Sequence, residues 1–227
     1  MSSVEIAFNQ ISDIVGKDNF IQDEHTLSFY STDVFVSSIE KPLAVVRPND
    51  SNELIKVVKT CIANDVSIIV RGGGASYTGG YLPINNNTII VDSQNLKKIE
   101  INEEDMFVTV EPGVTWLELY EALNPLGLRT PFWGPFSGRV ATIAGSMSYH
   151  ALSHGTNNAV SADSLSSLQV IIGNGEVIET GFQGDNNNSS RFFRHYGPDT
   201  GGLFLGDSGA LGIKTKISEL SRYQVQS

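Results

Sequence analysis

The hydrophobic pattern changes character twice between Lys41 and Asp92. Lys41–Arg47 (KPLAVVR) carries a short unbroken apolar run, which predicts a strand. Leu54, Val57, Val58, Cys61 and Ile62 then recur at i, i+3, i+4, i+7 and i+8, one apolar face of a helix. Asp50, with Glu53 three residues on, predicts the N-cap of that helix. Val66–Val70 is again a β-branched run and predicts a buried strand, and Thr88–Asp92 (TIIVD) predicts a third after the turn at Asn85-Asn86-Asn87. Strand, helix, strand with a short link makes a βαβ unit, with parallel strands and a right-handed crossover. Upstream, Ile6, Ile11, Ile14 and Val15 form a helical stripe ended by Gly16. Asp23–Val36, containing Tyr30-Ser31-Thr32-Asp33, reads as a loop or cover.

The texture changes after Leu96. Lys98–Glu100 and Phe107–Val110 predict strands joined by turns, and Thr115-Trp116-Leu117-Glu118 is a capping-box sequence opening a helix to about Leu123. Pro125–Gly138 is a long Pro- and Gly-rich loop, and Thr142–Ala151 (TIAGSMSYHA) is made largely of small residues. Leu168–Ile172 and Glu176–Glu179 flank Asn174-Gly175, a hairpin signal. Gly184–Ser190 is low-complexity, and Leu203–Leu220 is the last structured piece. The fold class expected is α+β with two lobes: a small parallel βαβ lobe, then a larger mixed or antiparallel sheet with flanking helices. The boundaries expected are 1–40 for an N-terminal helix and cover segment, 41–95 for lobe one and 96–222 for lobe two.

The first candidate chemistry sits where Val66–Val70 ends. Arg71-Gly72-Gly73-Gly74-Ala75-Ser76-Tyr77-Thr78-Gly79-Gly80 is a glycine-rich loop. Glycines remove the Cβ atoms that hold a ligand off the backbone, so successive N–H groups can cradle a phosphate without a basic side chain. Ser76 and Thr78 add hydroxyls and Arg71 a charge. The loop fits neither the P-loop nor the dinucleotide G-x-G-x-x-G pattern, and a plain tight turn would use the same residues. A net charge of -10 argues against nonspecific nucleic-acid binding. The single cysteine, Cys61, reads as a core residue and permits no disulfide within the chain. The absence of a long apolar run and of a signal pattern leads to an expected cytoplasmic location and no transmembrane segment. No metal site is expected.

Taken in order from about Lys41 to Leu220, these segments resemble the FAD-binding domain of the vanillyl-alcohol oxidase and p-cresol methylhydroxylase superfamily. Within it they are most similar to the branch of glycolate oxidase FAD subunits and D-lactate dehydrogenases. The resemblance implies that Arg71, Gly72, Gly73, Gly74, Ala75, Ser76, Tyr77, Thr78 and Gly79 wrap the FAD pyrophosphate. It implies cofactor contacts for Pro112 and Gly113. Ala141-Thr142-Ile143-Ala144-Gly145 resembles an A-T-x-G-G stretch near the flavin ring, with Ala144 replacing the first glycine. Thr142, Gly145, Ser146, Ser148, Tyr149 and Leu152 are assigned to that wall on this basis, Asp163 to the piece running toward the adenine. Gly206–Ile213 (GDSGALGI) resembles G-S-E-G-T-L-G-I, which places the backbone of Gly212 and Ile213 against the cofactor. Asn158-Ala159 stand where relatives often carry Tyr-Gly, and Phe193–Asp199 resembles uncharacterised relatives.

Ala75 occupies the position of the histidine that attaches flavin in a G-G-H-S loop, so noncovalent FAD is expected. His150 and His154 are either ring-side groups or ordinary loop residues. The superfamily continues into a second, substrate-capping domain that this chain is expected to lack, so the catalytic residues stay unknown. The expected function is an FAD-binding domain or subunit of an oxidoreductase acting on a small 2-hydroxy acid, completed by a partner chain or a missing C-terminal domain. A flavin-binding or electron-transfer module inactive on its own, and an aromatic-alcohol oxidase, stay open as alternatives.

Overall fold

The computed structural model describes residues 3–132, 134–151, 161–181, 194 and 197–224. Expectations that fall on Leu152, His154, Asn158-Ala159, Gly184–Ser190, Phe193, His195 and Tyr196 lie outside the described residues. The chain divides into two compact units. One is Met1–Leu96 with Gly173–Glu176, and the other is Lys97–Ile172 with Val177–Ser227.

The first unit opens with α1 (Ser3–Val15), which buries Ala7, Ile11 and Val15. These are spaced i, i+4, i+8, so the helix turns Ile6 outward, 39% exposed, and Ala7 takes the inner position. β1 (Phe20–Ile21) follows, then α2 (Glu24–Tyr30), where a loop was expected. Asp23 caps α2 by accepting the Thr26 amide at 2.9 Å. β2 (Ala44–Val46), α3 (Ser51–Ala63), β3 (Ser67–Arg71) and β4 (Thr88–Asp92) complete the unit. Asp50 caps α3 as expected, and Leu54, Val57, Val58 and Cys61 are its buried face, with Ile62 outside it. Burial pushes the Cys61 thiol up to about 12, consistent with an inert core residue.

The sheet runs β1-β2-β4-β3, with β2, β4 and β3 mutually parallel and β1 antiparallel to β2. The two strands joined by α3 are therefore parallel but not neighbours, because β4 inserts between them. All five residues of β4 are buried. β3 is an edge strand, and Ile68, Ile69 and Val70 are only half-buried, a correction to the buried strand expected at 66–70.

In the second unit, β5 (Ile99–Asn102) and β6 (Phe107–Val110) form a hairpin. α4 (Trp116–Leu123), β7 (Leu128–Arg129), α5 (Ile143–Tyr149), α6 (Ser161–Ser164), β8 (Leu165–Ile171), β9 (Val177–Glu179), β10 (Ile213–Leu220) and β11 (Arg222–Tyr223) follow. The main sheet is wholly antiparallel in the order β5-β6-β10-β8-β9, and β11 pairs with β7. One face carries Val108, Val110, Leu165, Leu168 and Ile217, which pack with Trp116, Leu119 and Leu123 of α4 and with Ile143 and Met147 of α5. This is the α+β class the pattern predicts. The β8–β9 connection is longer than a two-residue turn: Ile171 pairs with Val177, leaving 172–176 as the loop. The Asn174 side chain accepts the Glu176 amide at 2.9 Å within it. Among the described residues, no helix is long and apolar enough to cross a membrane.

Candidate functional site

In the first unit, the glycine-rich loop leaves β3 and returns, with no helix, at β4. Arg71 ends β3 and is buried. Its guanidinium carbon lies 4.4 Å from the Tyr30 ring centroid, 5.0 Å from that of Phe29 and 5.1 Å from that of Tyr81. The charge that Arg71 adds is thus enclosed by three aromatic faces, and its Nη1 has no hydrogen-bond partner among the described residues. The chain folds back over this head: a Cβ on Gly74 would collide with Nη2 and come within 2.8 Å of Nε, and Gly74 has φ +67. Only glycine fits there. The Tyr81 hydroxyl lies 2.8 Å from the Gly74 carbonyl and 3.2 Å from that of Ser76, tying the turn down from the other side.

Asp33, from the segment read as a cover, is the second anchor. Its carboxylate accepts the amides of Phe35, Val36 and Gly79 at 2.7, 2.6 and 2.7 Å. These bonds, the Val36 amide first, hold it below the usual carboxylate range. α2 is fixed in turn by Tyr30, whose hydroxyl bonds to the Asp92 carboxylate at the end of β4, while Arg47 bridges to Asp92 at 3.1 Å and to the Tyr30 oxygen at 3.0 Å. Burial, with the Asp92 bond adding to it, raises the Tyr30 phenol.

Held this way, the loop presents backbone rather than side chains. Among the described residues, the amides of Gly72, Gly73, Gly74, Ala75, Ser76 and Tyr77 have no acceptor. Ser76 and Thr78 share a hydrogen bond of 3.0 Å at the exposed rim, and Tyr77 is exposed. Consecutive unpartnered N–H groups on a glycine turn, above a buried guanidinium, suit an anionic, phosphate-bearing ligand. The Ala75 methyl offers no nucleophile to it.

In the second unit, the remaining candidates lie in the turn after β6, on α5, on α6 and in the loop before β10. Pro112 and Gly113 are buried in the turn closed by Val114 N–H to Glu111 C=O, 3.1 Å. The strand end then runs beside residues 141–143, with Ile143 N–H to Val114 C=O at 3.0 Å and Trp116 N–H to Ala141 C=O at 3.2 Å. Thr142 caps α5, its hydroxyl accepting the Gly145 amide at 3.1 Å. Ser146 points inward and accepts the Trp116 indole N–H at 2.8 Å, which makes it a core polar pair. Ser148 and Tyr149 are partly exposed, and His150 is an exposed left-handed C-cap with φ 48.

The loop before β10 is docked on α5 by Gly206 N–H to Met147 C=O at 2.9 Å and Ser208 N–H to Ser148 C=O at 2.8 Å. Gly212 is sterically required: its Cβ would strike the Val170 side chain and lie 2.9 Å from the Ile171 carbonyl. The loop is thus held against the C-terminal part of α5 at Met147 and Ser148, while Gly212 packs on β8. Asp163 is exposed on α6.

Sequence reasoning missed the residues that hold the loops. Phe29, Tyr30 and Tyr81 surround Arg71, and Asp33 gathers amides; aromatic residues clustered at 29–30 were the available signal. It also missed the buried Asp207–Lys214 ion pair at 2.8 Å, whose side chains are 1% and 2% exposed. Burial draws the Lys214 ammonium below its ordinary range, with Asp207 opposing. No group of three or more potential metal ligands occurs among the described residues.

Residues 42–181 match a protein family described as FAD binding domain. The chain is 29% identical over 208 residues to the glycolate oxidase subunit GlcD of Bacillus subtilis, covering 91% of this chain and 43% of that protein. It is 31% identical over 210 residues to a mitochondrial D-lactate dehydrogenase [cytochrome] of Arabidopsis thaliana, covering 89% and 34%. The chain thus spans less than half the length of these relatives. Among solved structures, substrate-bound p-cresol methylhydroxylase matches with a TM-score of 0.85 at 22% identity over 99% of this chain and 44% of that one.

Proposed function

Because the chain belongs to the FAD binding domain family, we propose that it is the flavin-holding part of an oxidoreductase acting on small 2-hydroxy acids of the D-lactate or glycolate kind. The observation that carries this reading is the run of amides at Gly72–Tyr77 that have no acceptor among the described residues, over the enclosed Arg71. FAD, when bound, supplies the redox chemistry. The chain's own part is to bind and orient. Gly72–Tyr77 offer backbone N–H groups to the pyrophosphate, with Ser76 and Thr78 at the rim, and the Arg71 charge favours an anion from beneath. In the second unit, the backbone of Thr142–Tyr149 and of Gly212–Ile213 is the part that the resemblance assigns to flavin contact. Attachment is noncovalent at Ala75. The 2-hydroxy-acid class rests on the relatives named glycolate oxidase and D-lactate dehydrogenase.

The test is reconstitution with FAD, desalting and an absorbance spectrum, on the native chain and on Gly74→Ala. The native chain is expected to stay yellow and to release its flavin on acid precipitation. Gly74→Ala, which drives a methyl into the guanidinium, is expected to lose it. A yellow Gly74→Ala protein would remove the loop from the binding site.

A second reading is a flavin-binding module that works only when another polypeptide domain covers it. Large apolar side chains favour it: Val34, Phe35, Val36, Ile39, Tyr77 and Ile84 are exposed on segments bonded to one another through Val34 N–H to Ser76 C=O and the Ser38 hydroxyl to Pro83 C=O.

A further inference from the structure

We propose that Asp207 and Lys214 form a positioning clamp that holds the loop before β10 in the shape required to receive the cofactor. The proposal rests on the reading that the backbone of Gly212 and Ile213 lies against FAD.

The loop needs such a device. Gly206, Ser208 and Gly209 all have left-handed backbones, φ 69, 53 and 77, and Ser208 adopts this conformation despite its Cβ. A sequence of three such residues within four has little intrinsic preference for one arrangement. Asp207 provides the restraint. One carboxylate oxygen accepts the Gly209 amide at 3.0 Å and the Lys214 ammonium at 2.8 Å, and the other accepts the Leu211 amide at 3.4 Å. Its own carbonyl accepts the Ala210 amide at 2.9 Å. Lys214 is the second residue of β10, paired with Val170, so it is fixed to the sheet and carries that rigidity to the loop. Glycine at 212 lets the chain pass against Val170 and Ile171 between the two ends of the clamp.

Two buried charges are not needed to stabilise this corner, since a matched apolar pair generally does so as well or better. What the ion pair adds is direction: a carboxylate that collects two loop amides and one strand ammonium defines where residues 209–213 run.

The double variant Asp207→Leu/Lys214→Met separates positioning from stability. It is expected to melt close to the native chain, because the buried charges leave together. Its dissociation constant for FAD, read by flavin fluorescence, is expected to rise about tenfold or more, the effect of one well-placed interaction. Hydrogen exchange of 206–213 is expected to be fast in the variant and slow in the native chain, with added FAD slowing it further in the native chain only. Native FAD affinity and native protection in the double variant would overturn the clamp. If the native chain binds FAD with no change in exchange at 206–213, the cofactor lies elsewhere and the underlying reading fails, a result distinct from the first. Should the double variant fail to fold, near-isosteric Asp207→Asn decides by the same two measurements.

Discussion

Glu219 stands opposite Val108 on one neighbouring strand and Leu165 on the other, fully buried, and neither carboxylate oxygen has a hydrogen-bond partner. The Ser166 and Ser221 hydroxyls, from adjoining positions, are unpartnered too. Burial pushes the Glu219 carboxyl up to about 8 from an ordinary 4.5. The folded chain therefore keeps a proton that the unfolded chain gives up. Between those two values the unfolded state binds fewer protons, so stability declines as pH rises, by up to about 1.4 kcal/mol per pH unit, and levels off above the folded value. Glu219→Leu is expected to flatten the dependence of the melting temperature on pH between about 5 and about 8, and to be the more stable protein at the upper end. A slope equal to that of the native chain would assign the effect to other groups. Arg71 is a second residue whose place is set by burial. Its rings come from positions 29, 30 and 81, far apart in sequence, which is why its enclosure was not legible while the glycine loop beside it was.

At the level of elements, what was legible is what is local. The capping box of α4 is present as written: the Thr115 hydroxyl accepts the Glu118 amide at 3.2 Å and the Glu118 carboxylate accepts the Thr115 amide at 2.7 Å. Thr115→Ala is expected to cost about 1 kcal/mol, visible as a lower urea midpoint with an unchanged slope. A change below a few tenths would mean the first turn is held by the Ile143–Val114 and Trp116–Ala141 bonds instead. The Asp50 cap of α3 is equally local and equally legible. α2 was not, because EHTLSFY is too short for a clear apolar stripe and is held by Tyr30 and its long-range bonds to Asp92 and Arg47. The mismatch at 66–70 has the same origin: β3 and β4 are both β-branched runs, and only strand order decides which is central. The Asn174-Gly175 turn was located correctly but not its length, since the register is set by pairing to β8. The candidate site divides likewise. Its glycine turns were read from sequence, whereas Asp33 reaches the loop from 46 residues away, and Tyr81 and Lys214 lie just beyond the turns that they hold.

For the whole molecule, the exposed apolar segments are the feature to probe. Phe35 is 81% and Ile39 98% exposed, yet Asp33 and Ser38 tether the segment that carries them. On the second reading, Phe35→Ser/Ile39→Ser is expected to move the melting temperature little, as exposed substitutions do, while reducing binding of a hydrophobic dye and association at high concentration. Unchanged dye binding would show that these side chains do not form the apolar surface that the second reading requires.

The order of strands in the first unit also constrains synthesis. β4 is the last of the four strands in sequence and lies between β2 and β3. Until Asp92 has left the ribosome, β3 has no strand to pair with, and β2 has only the short β1. The nascent chain therefore carries an open, β-branched edge throughout the interval in which the glycine loop is being made, an invitation to mispairing. The arrival of TIIVD, buried along its whole length, closes both edges in a single event. Assembly of this sheet is then a matter of timing set by its final strand.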